Sequence, residues 1–485
     1  PDVVRVQYTG ENTFIGNGTD VCLPRAVDNP VRWVYTPNPD CYLLKSDSLI
    51  VRVDLSTASI TYLDKEGGLL LQEDQNIPRI SEKRVTKQVI YDEHSKHIEK
   101  TADGDKEIKN VLRYDTIGHT WKYRINFKWQ PLEALYGWGS HMEDYMNLRG
   151  KELYLCQHNL KAMVPVLNST AGYGLLFDAG CAMMFKDNSE GSFVELEAAK
   201  QIDYYFMKGK TMDAVVANYR MLTGNSPMMP LYLFGYIQSK ERYVSSDDLI
   251  NTLKEYRQRQ IPIDMIVQDW NYWPEGQWGN MSMNPKFYPD KRKLADEIHS
   301  LHAKLMISIW PNAMNCPQHE EFKRKGWLLS STPVYDAFNP LARKLYWNYA
   351  NNEFFGNDFD AWWCDASEPL DADWTFMKDG YGADNHRQRW ELNTNLLNSV
   401  LGAERSQLYS LYHAKGIYEN QRSTNEDKRV VNLTRSSYAG QQRYSTITWN
   451  GDTYATWQSF AQMIPAGLNF MATGCPYWTV DIGAF

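Results

Sequence analysis

The chain has 485 residues, 43% hydrophobic and 23% charged. That is more than one ordinary domain, and the charge content excludes wholesale disorder. A formal net charge of -8 without a basic block argues against a nucleic-acid surface.

The first 225 residues read as β. In SLIVRVDLSTASITYLDKEGGLLLQED, Val51, Val53 and Leu55 alternate with polar residues, as do Ile60 and Tyr62. Asp64 to Gly68 supplies the turn before Leu69 to Gln72 returns. TWKYRINFKW and GYGLLFDAGCAMMF continue the pattern. Many short strands with Gly and Asp turns predict an antiparallel β-sandwich over residues 1–225.

Asn225 to Pro230 reads as a linker, and strand-like and helix-like segments alternate beyond it. The candidate strands are LYLFGYI, IDMIVQDW, LMISIWP, FDAWWCDA, SQLYSLYH, YSTITWNGD and YWTVDI. Ser245 or Ser246 is placed to cap a helix on which Leu249, Ile250, Leu253 and Tyr256 recur at helical spacing. Leu294, Ile298 and Leu301 mark another. The alternation predicts a parallel sheet or a (β/α)8 barrel over residues 226–485, making the chain a multidomain β plus α/β protein. No apolar run reaches membrane-spanning length. Seven scattered cysteines with no CxxC imply neither a disulfide framework nor a zinc site, although Cys22 and Cys41 could pair in an oxidising compartment.

In a (β/α)8 barrel the chemistry sits at the C-terminal ends of the strands. Acid and tryptophan recur there: Asp269-Trp270, Trp310-Pro311, Trp363-Cys364-Asp365, Trp449-Asn450-Gly451-Asp452 and Asp481. Glycosidic bond cleavage needs one carboxyl to protonate the leaving oxygen and a second to attack the anomeric carbon or activate water. Asp365 and Asp452 come from different strands, so the fold can face them across one bond. Arg435 is a candidate charge partner, and Trp310, Trp363 and Trp449 would form a sugar-stacking wall. Trp362 and Trp363 point to opposite faces of their strand, and Trp363 shares the face of Asp365. The competing structural roles are ordinary ones. An Asp at a strand end is commonly a turn or cap residue, and Glu368 reads as a loop hydrogen-bonder. His413, ending the LYSLYH segment, reads as a satisfied core histidine, and Cys364 as a buried thiol.

The ordered set PMMPLYLFGYIQSKERY, IPIDMIVQDWNYW, ISIWPNAM, AWWCDASEP, TRSSYAGQQRYSTITWNGD and GCPYWTVDIGAF resembles glycoside hydrolase family 31. YGWGSHMEDYMNLRGKELYLCQHN resembles the N-terminal sandwich segment of that family, whose loop reaches toward the active site. WWCDASEP and GQQRY most resemble its bacterial α-xylosidase-like branch. The resemblance implies that Asp365 is the nucleophile and Asp452 the acid/base. It implies that Asp269 and Arg435 hydrogen-bond sugar hydroxyls. Asp481 would be a further acid of the pocket, and Trp363, Trp449 and Phe485 its aromatic lining. The usual GGF after the last acid reads Gly483-Ala484-Phe485. On this likeness the barrel stops before its last strand, and the C-terminal β-domains lie outside the sequence.

The function so implied is that of a retaining exo-α-glycosidase, acting on terminal α-xylosyl or α-glucosyl residues of oligosaccharides through a covalent glycosyl-aspartate. Within the family, an α-transglycosylase or α-N-acetylgalactosaminidase is the alternative. Outside it stands a non-catalytic carbohydrate-binding protein, which two opposed carboxylates and an arginine disfavour. Neither cofactor nor metal is implied. A periplasmic or secreted location is expected slightly ahead of a cytoplasmic one.

Overall fold

The computed structural model describes residues 2–16, 18–24, 32–101, 104–330, 332–372 and 385–483. Two large antiparallel sheets and one two-stranded ribbon, His97–Thr101 with Gly104–Ile108, occupy the described chain up to Lys208. One has five strands, in the spatial order Val3–Tyr8, Ile202–Lys208, Tyr173–Phe177, Ala162–Ser169, Leu135–Ser140. The other has ten, and its longest strand, Val111–Lys128, pairs with Gly191–Ala199 and Arg79–Tyr91. The sheets share one core, in which Tyr62 stacks on Phe206 at 3.9 Å and Trp138 packs against Phe177 and Phe185. Offset ring pairs of this kind add to what area burial alone contributes. Val51 is buried as its alternation predicts, but Leu55 is 47% exposed. Its strand ends at Asp54, whose carboxylate accepts from the backbone N–H groups of Ser56 and Thr57 and turns the chain.

Helix α1 (Met212–Thr223) follows, capped by Thr211, whose hydroxyl accepts from the Ala214 N–H at 3.2 Å. Residues 224–230 carry no regular structure, yet Met229 is buried among the inner residues of the next sheet. That sheet has seven parallel strands in sequence order: β1 (Ile237–Gln238), β2 (Met265–Gln268), β3 (Lys304–Ile309), β4 (Ala361–Cys364), β5 (Asn432–Thr434), β6 (Thr446–Trp449) and β7 (Trp478–Thr479). The described helices between them are α2 (Ser246–Gln258), α3 (Lys291–Ser300), α4 (Pro317–Lys325), α5 (Pro340–Glu353), α6 (His386–Leu401), α7 (Tyr409–Thr424) and α8 (Trp457–Ala472). Ser245 is the cap of α2.

Two predicted strands differ. SQLYSLYH opens α7 rather than forming a strand, because Tyr409, His413, Ile417 and Gln421 recur every four residues and are buried along one helical face. The strand expected there is β5, which starts at Asn432 and is too short to show a period. Most of LYLFGYI is a 3-10 turn, Leu231–Phe234, and only Ile237 and Gln238 pair with β2.

Alternation along each parallel strand sorts the side chains. Met265, Val267, Met306, Ala361, Leu433, Ile447 and Trp449 fill the concave side. Ile266, Leu305, Ile307, Trp362 and Cys364 pack outward against the helices. His413 lies in that helical layer, with Nδ1 2.7 Å from the Tyr335 hydroxyl. All seven cysteines are buried and none is bonded to another. Among the described residues, no helix is long and apolar enough to cross a membrane.

Candidate active site

The same alternation delivers the polar residues. After Met265 and Val267, the next inward position past β2 is Asp269. After Ala361 and Trp363 it is Asp365, and after Leu433 it is Arg435. Asp452 follows Trp449 by one tight loop through Gly451, which has φ +83°. Apolar residues thus carry each strand through the core, and the chemistry begins where the strand ends.

Arg435 sits at the centre and is 4% exposed. Its Nε and Nη2 donate to the two oxygens of Glu368 at 2.8 and 3.2 Å. Its Nη1 lies 3.2 Å from Asp365 Oδ1 and 3.5 Å from Asp452 Oδ2. Asp371 Oδ2 lies 3.8 Å from Nη2. Burial disfavours the charge, but the carboxylates of Glu368, Asp365 and Asp452 outweigh it and hold the guanidinium pKa well above its ordinary value. Glu368 is therefore more than a loop hydrogen-bonder. It is the bidentate clamp on the arginine that faces both catalytic candidates. Ser367, between Asp365 and Glu368, ties the loops after β4 and β5 together. Its Oγ lies 2.8 Å from Thr434 Oγ1 and accepts from the Ser436 N–H at 3.0 Å.

Asp365 is held by its own neighbourhood. Its N–H donates to the Ile309 carbonyl at 3.0 Å, and its Oδ1 accepts from the Ala366 N–H at 2.6 Å. Its side chain remains 23% exposed. Asp452 is held from the other region of the chain. Asn159 Nδ2 donates to Asp452 Oδ2 at 2.6 Å, and the Asp452 N–H donates to Asn159 Oδ1 at 3.0 Å.

Asp269 accepts from the Ser308 hydroxyl at 2.6 Å and from the Trp270 N–H at 2.8 Å. Burial pushes its carboxyl up to about 8, with the charges of Asp365 and Asp481 adding to the rise. Burial likewise lifts Asp481 to about 7, with Asp452 and Asp365 contributing. At neutral pH Asp269 thus mostly holds its proton and can donate it to a polar ligand, while Asp481 is divided between its two forms.

The tryptophans do not form one wall. Trp363 and Trp449 meet edge to face at 5.0 Å on the inner side of β4 and β6. Trp310 is 3% exposed and packs instead with Trp273 at 5.3 Å and Trp278 at 6.3 Å, from the loop after β2. Trp362 turns outward and donates from Nε1 to Gln421 at 2.7 Å. Phe485 lies outside the described residues. Sequence reasoning missed the clamping role of Glu368, the support from Ser308, and Asn159. Glu368 carried a signal, two acids three residues apart past the end of one strand. Asn159 closes the segment YGWGSHMEDYMNLRGKELYLCQHN, whose resemblance implied a loop toward the active site, but nothing singled out this residue, 293 positions from its partner.

Residues 226–485 match the model of the glycosyl hydrolases family 31 TIM-barrel domain. An α-xylosidase of Saccharolobus solfataricus is 31% identical over all of this chain and 61% of its own length. An uncharacterized family 31 glucosidase of Pseudescherichia vulneris is 31% identical over 76% of this chain and 69% of its own. Among solved structures, the α-xylosidase of Xanthomonas citri superposes with a TM-score of 0.80 at 22% identity, over all of this chain and 66% of that one. A soil-metagenome α-xylosidase complexed with xylose gives 0.79 at 25% identity, over all of this chain and 69% of that one. This chain thus spans 61% of the Saccharolobus enzyme and 66% of the Xanthomonas one.

Proposed function

Because this chain belongs to glycoside hydrolase family 31, we propose that it is the catalytic part of a retaining exo-α-glycosidase, with Asp365 as nucleophile and Asp452 as acid/base. The supporting observation is that one buried nitrogen, Arg435 Nη1, lies 3.2 Å from Asp365 and 3.5 Å from Asp452. The two facing oxygens can be no farther apart than those distances end to end. That limit accommodates the spacing of about 5–5.5 Å at which a retaining pair works, and the retaining assignment itself rests on the family.

In the first step Asp365 attacks the anomeric carbon as the glycosidic bond breaks. The proton of Asp452 passes to the leaving oxygen, giving a glycosyl-aspartate and a free alcohol. In the second step Asp452, now a carboxylate, takes a proton from water. The hydroxide so formed attacks the anomeric carbon and releases Asp365. Asp269, Asp481 and Arg435 bond the sugar hydroxyls, and Trp363 and Trp449 line the pocket. Phe485 is assigned to that lining by resemblance, and Trp310 supports it from the Trp273–Trp278 cluster. The chain divides into an antiparallel unit, 1–225, and a catalytic barrel unit, 226–485. The substrates are oligosaccharides ending in α-xylosyl or α-glucosyl units. The α-xylosidase names of the Saccharolobus and Xanthomonas relatives favour xylose.

The test uses the full-length protein and the 4-nitrophenyl α-xyloside and α-glucoside. Turnover of one, abolished in Asp365→Asn, is expected. A 5-fluoro-α-glycosyl fluoride should add one sugar mass to the peptide carrying Asp365. Turnover retained by Asp365→Asn would sink the nucleophile assignment. Sugar binding without turnover in the folded wild type would favour a carbohydrate-binding role. Transfer to an added acceptor sugar at the expense of hydrolysis would identify a transglycosylase.

A further inference from the structure

We propose that Asn159, carried by the antiparallel part of the chain, is a positioning residue for the acid/base carboxyl of Asp452, and that it directs the catalytic proton to Oδ1. The inference rests on the reading of Asp452 as acid/base and names a residue that the reading did not include.

Asn159 is fully buried and makes a two-point contact with Asp452, one bond to the carboxylate at 2.6 Å and one from the backbone N–H at 3.0 Å. The pair of bonds fixes both the main chain and the side chain of Asp452. It also assigns the oxygens. Oδ2 accepts from Asn159 Nδ2 and faces Arg435 Nη1 at 3.5 Å. A proton on Oδ2 would oppose two donors, so the transferable proton belongs on Oδ1.

Asn159 is itself held firmly. It lies in a turn closed by the Lys161 N–H donating to the His158 carbonyl at 2.9 Å, with Leu160 at φ +73°. Its carbonyl accepts from Arg389 Nη2 of α6 at 2.9 Å. Beside the turn, the Gln157 N–H donates to Gln407 Oε1 at 2.6 Å, and Gln157 Nε2 to the Ser437 carbonyl at 2.7 Å. The turn and the residue before it are thus tied to the barrel region at three points, one on α6 and two in loops. From the barrel side the fit is equally tight. A Cβ on Gly451 would sit 2.3 Å from Asn159 Oδ1 and 2.7 Å from the Leu160 nitrogen. Only glycine lets the loop after β6 reach this turn.

Among the described residues, the charged and titratable groups facing the contact include Arg435 after β5, Asp365 after β4 and Asp481 after β7. On the Asn159 side are His158 and Arg389, both on the Asn159 carbonyl, and the Lys161–Glu143 pair. An amide N–H on Oδ2 favours the carboxylate, so removing it raises the pKa of the acid/base.

The experiment compares Asn159→Ala and Asn159→Asp with wild type in the full-length protein, after circular dichroism and melting confirm folding. The expected result has two parts. The alkaline limb of kcat/KM moves to higher pH, more for Asn159→Asp than for Asn159→Ala. Activity on an alkyl α-glycoside, whose leaving group needs protonation, falls by about 10- to 100-fold, while the 2,4-dinitrophenyl α-glycoside changes by less than about 3-fold. Equal losses on both substrates with an unmoved alkaline limb would overturn the inference. Asn159→Asp keeps the side-chain shape and decides the matter if Asn159→Ala does not fold. Asp452→Ala with azide separates this result from the underlying reading. Azide rescue on the activated substrate, giving an α-glycosyl azide with net retention, supports Asp452 as acid/base whatever Asn159 does, and its absence sinks that reading.

Discussion

The two sides of the pocket are built differently. Asp365 is held by bonds from its own loop and the two strands beside its own: the Ala366 N–H, the Ile309 carbonyl of β3, and Arg435 just past β5. Asp452 shares that arginine, but its short bond comes from Asn159, in the antiparallel part of the chain. A carboxylate at a strand end inherits its position from the sheet. Asp452 sits one loop beyond its strand and needs an outside anchor. The nucleophile side is thus local, and the acid side depends on two regions staying docked.

The largest expected effect separates the sides by chemistry. Asp365→Ala should lose about 10⁴-fold or more in kcat on every substrate, because no covalent intermediate forms. Asp452→Ala should lose that much only where the leaving group needs a proton, and much less with a 2,4-dinitrophenyl leaving group. Steady-state kinetics on both substrate classes measures the contrast. Equal losses for the two variants would erase the distinction.

Next comes the clamp. Glu368→Ala removes the bidentate partner of a buried guanidinium and should destabilise the protein by about 3–5 kcal/mol. Glu368→Gln keeps the shape and one acceptor and should cost less. Both variants free Arg435 to rotate, so the lost orientation should be felt at Asp365 and Asp452 alike. A fall in kcat of about 10- to 100-fold is expected even with the activated substrate, where loss of acid catalysis alone has little effect. Thermal melting and kinetics together check this. Wild-type activity in a destabilised Glu368→Ala would reduce Glu368 to a structural residue.

The local side was largely legible in the sequence, and the imported side was not. Asp365 and Asp269 follow inward-facing strand positions, so period-2 alternation and a strand-end acid sufficed to nominate them, whereas Arg435 was reached as a charge partner upstream of Asp452 and through the family resemblance. The fifth strand was misplaced because Asn432–Thr434 is too short to show a period, while the four-residue spacing from Tyr409 to Gln421 belongs to a helix. Trp310 was expected to share a wall with Trp363 and Trp449. Its actual partners, Trp273 and Trp278, belong to an irregular loop whose path no local pattern dictates. Asn159 lies in a turn of the antiparallel region; the family resemblance of its segment implied a loop toward the active site, but no local pattern marks this residue as touching one 293 positions away. Contacts of that kind follow from how the two regions dock.

The smallest effect is a titration that reports on each side separately. Asp269 and Asp481 are pushed up to about 8 and about 7, chiefly by burial. Each binds a proton in the folded chain that the unfolded chain releases near the ordinary carboxylate value of about 4. The stability they contribute is therefore fully present below about pH 4 and declines until pH passes 7 for Asp481 and 8 for Asp269. Melting temperature should fall over this window. Asp269→Asn, which needs no proton, should flatten the fall and raise Tm by a few degrees at pH 8. The charges acting on the two acids differ. Asp269 feels Asp365 and Asp481, whereas Asp481 feels Asp452 first and then Asp365. Asp452→Asn should hence shift the Asp481 step to lower pH by less than about one unit and leave the Asp269 step nearly in place, whereas Asp365→Asn should lower both. Tm measured against pH in the three variants reads this out. Equal movement of both steps in Asp452→Asn would mean that the two sides share one electrostatic environment after all.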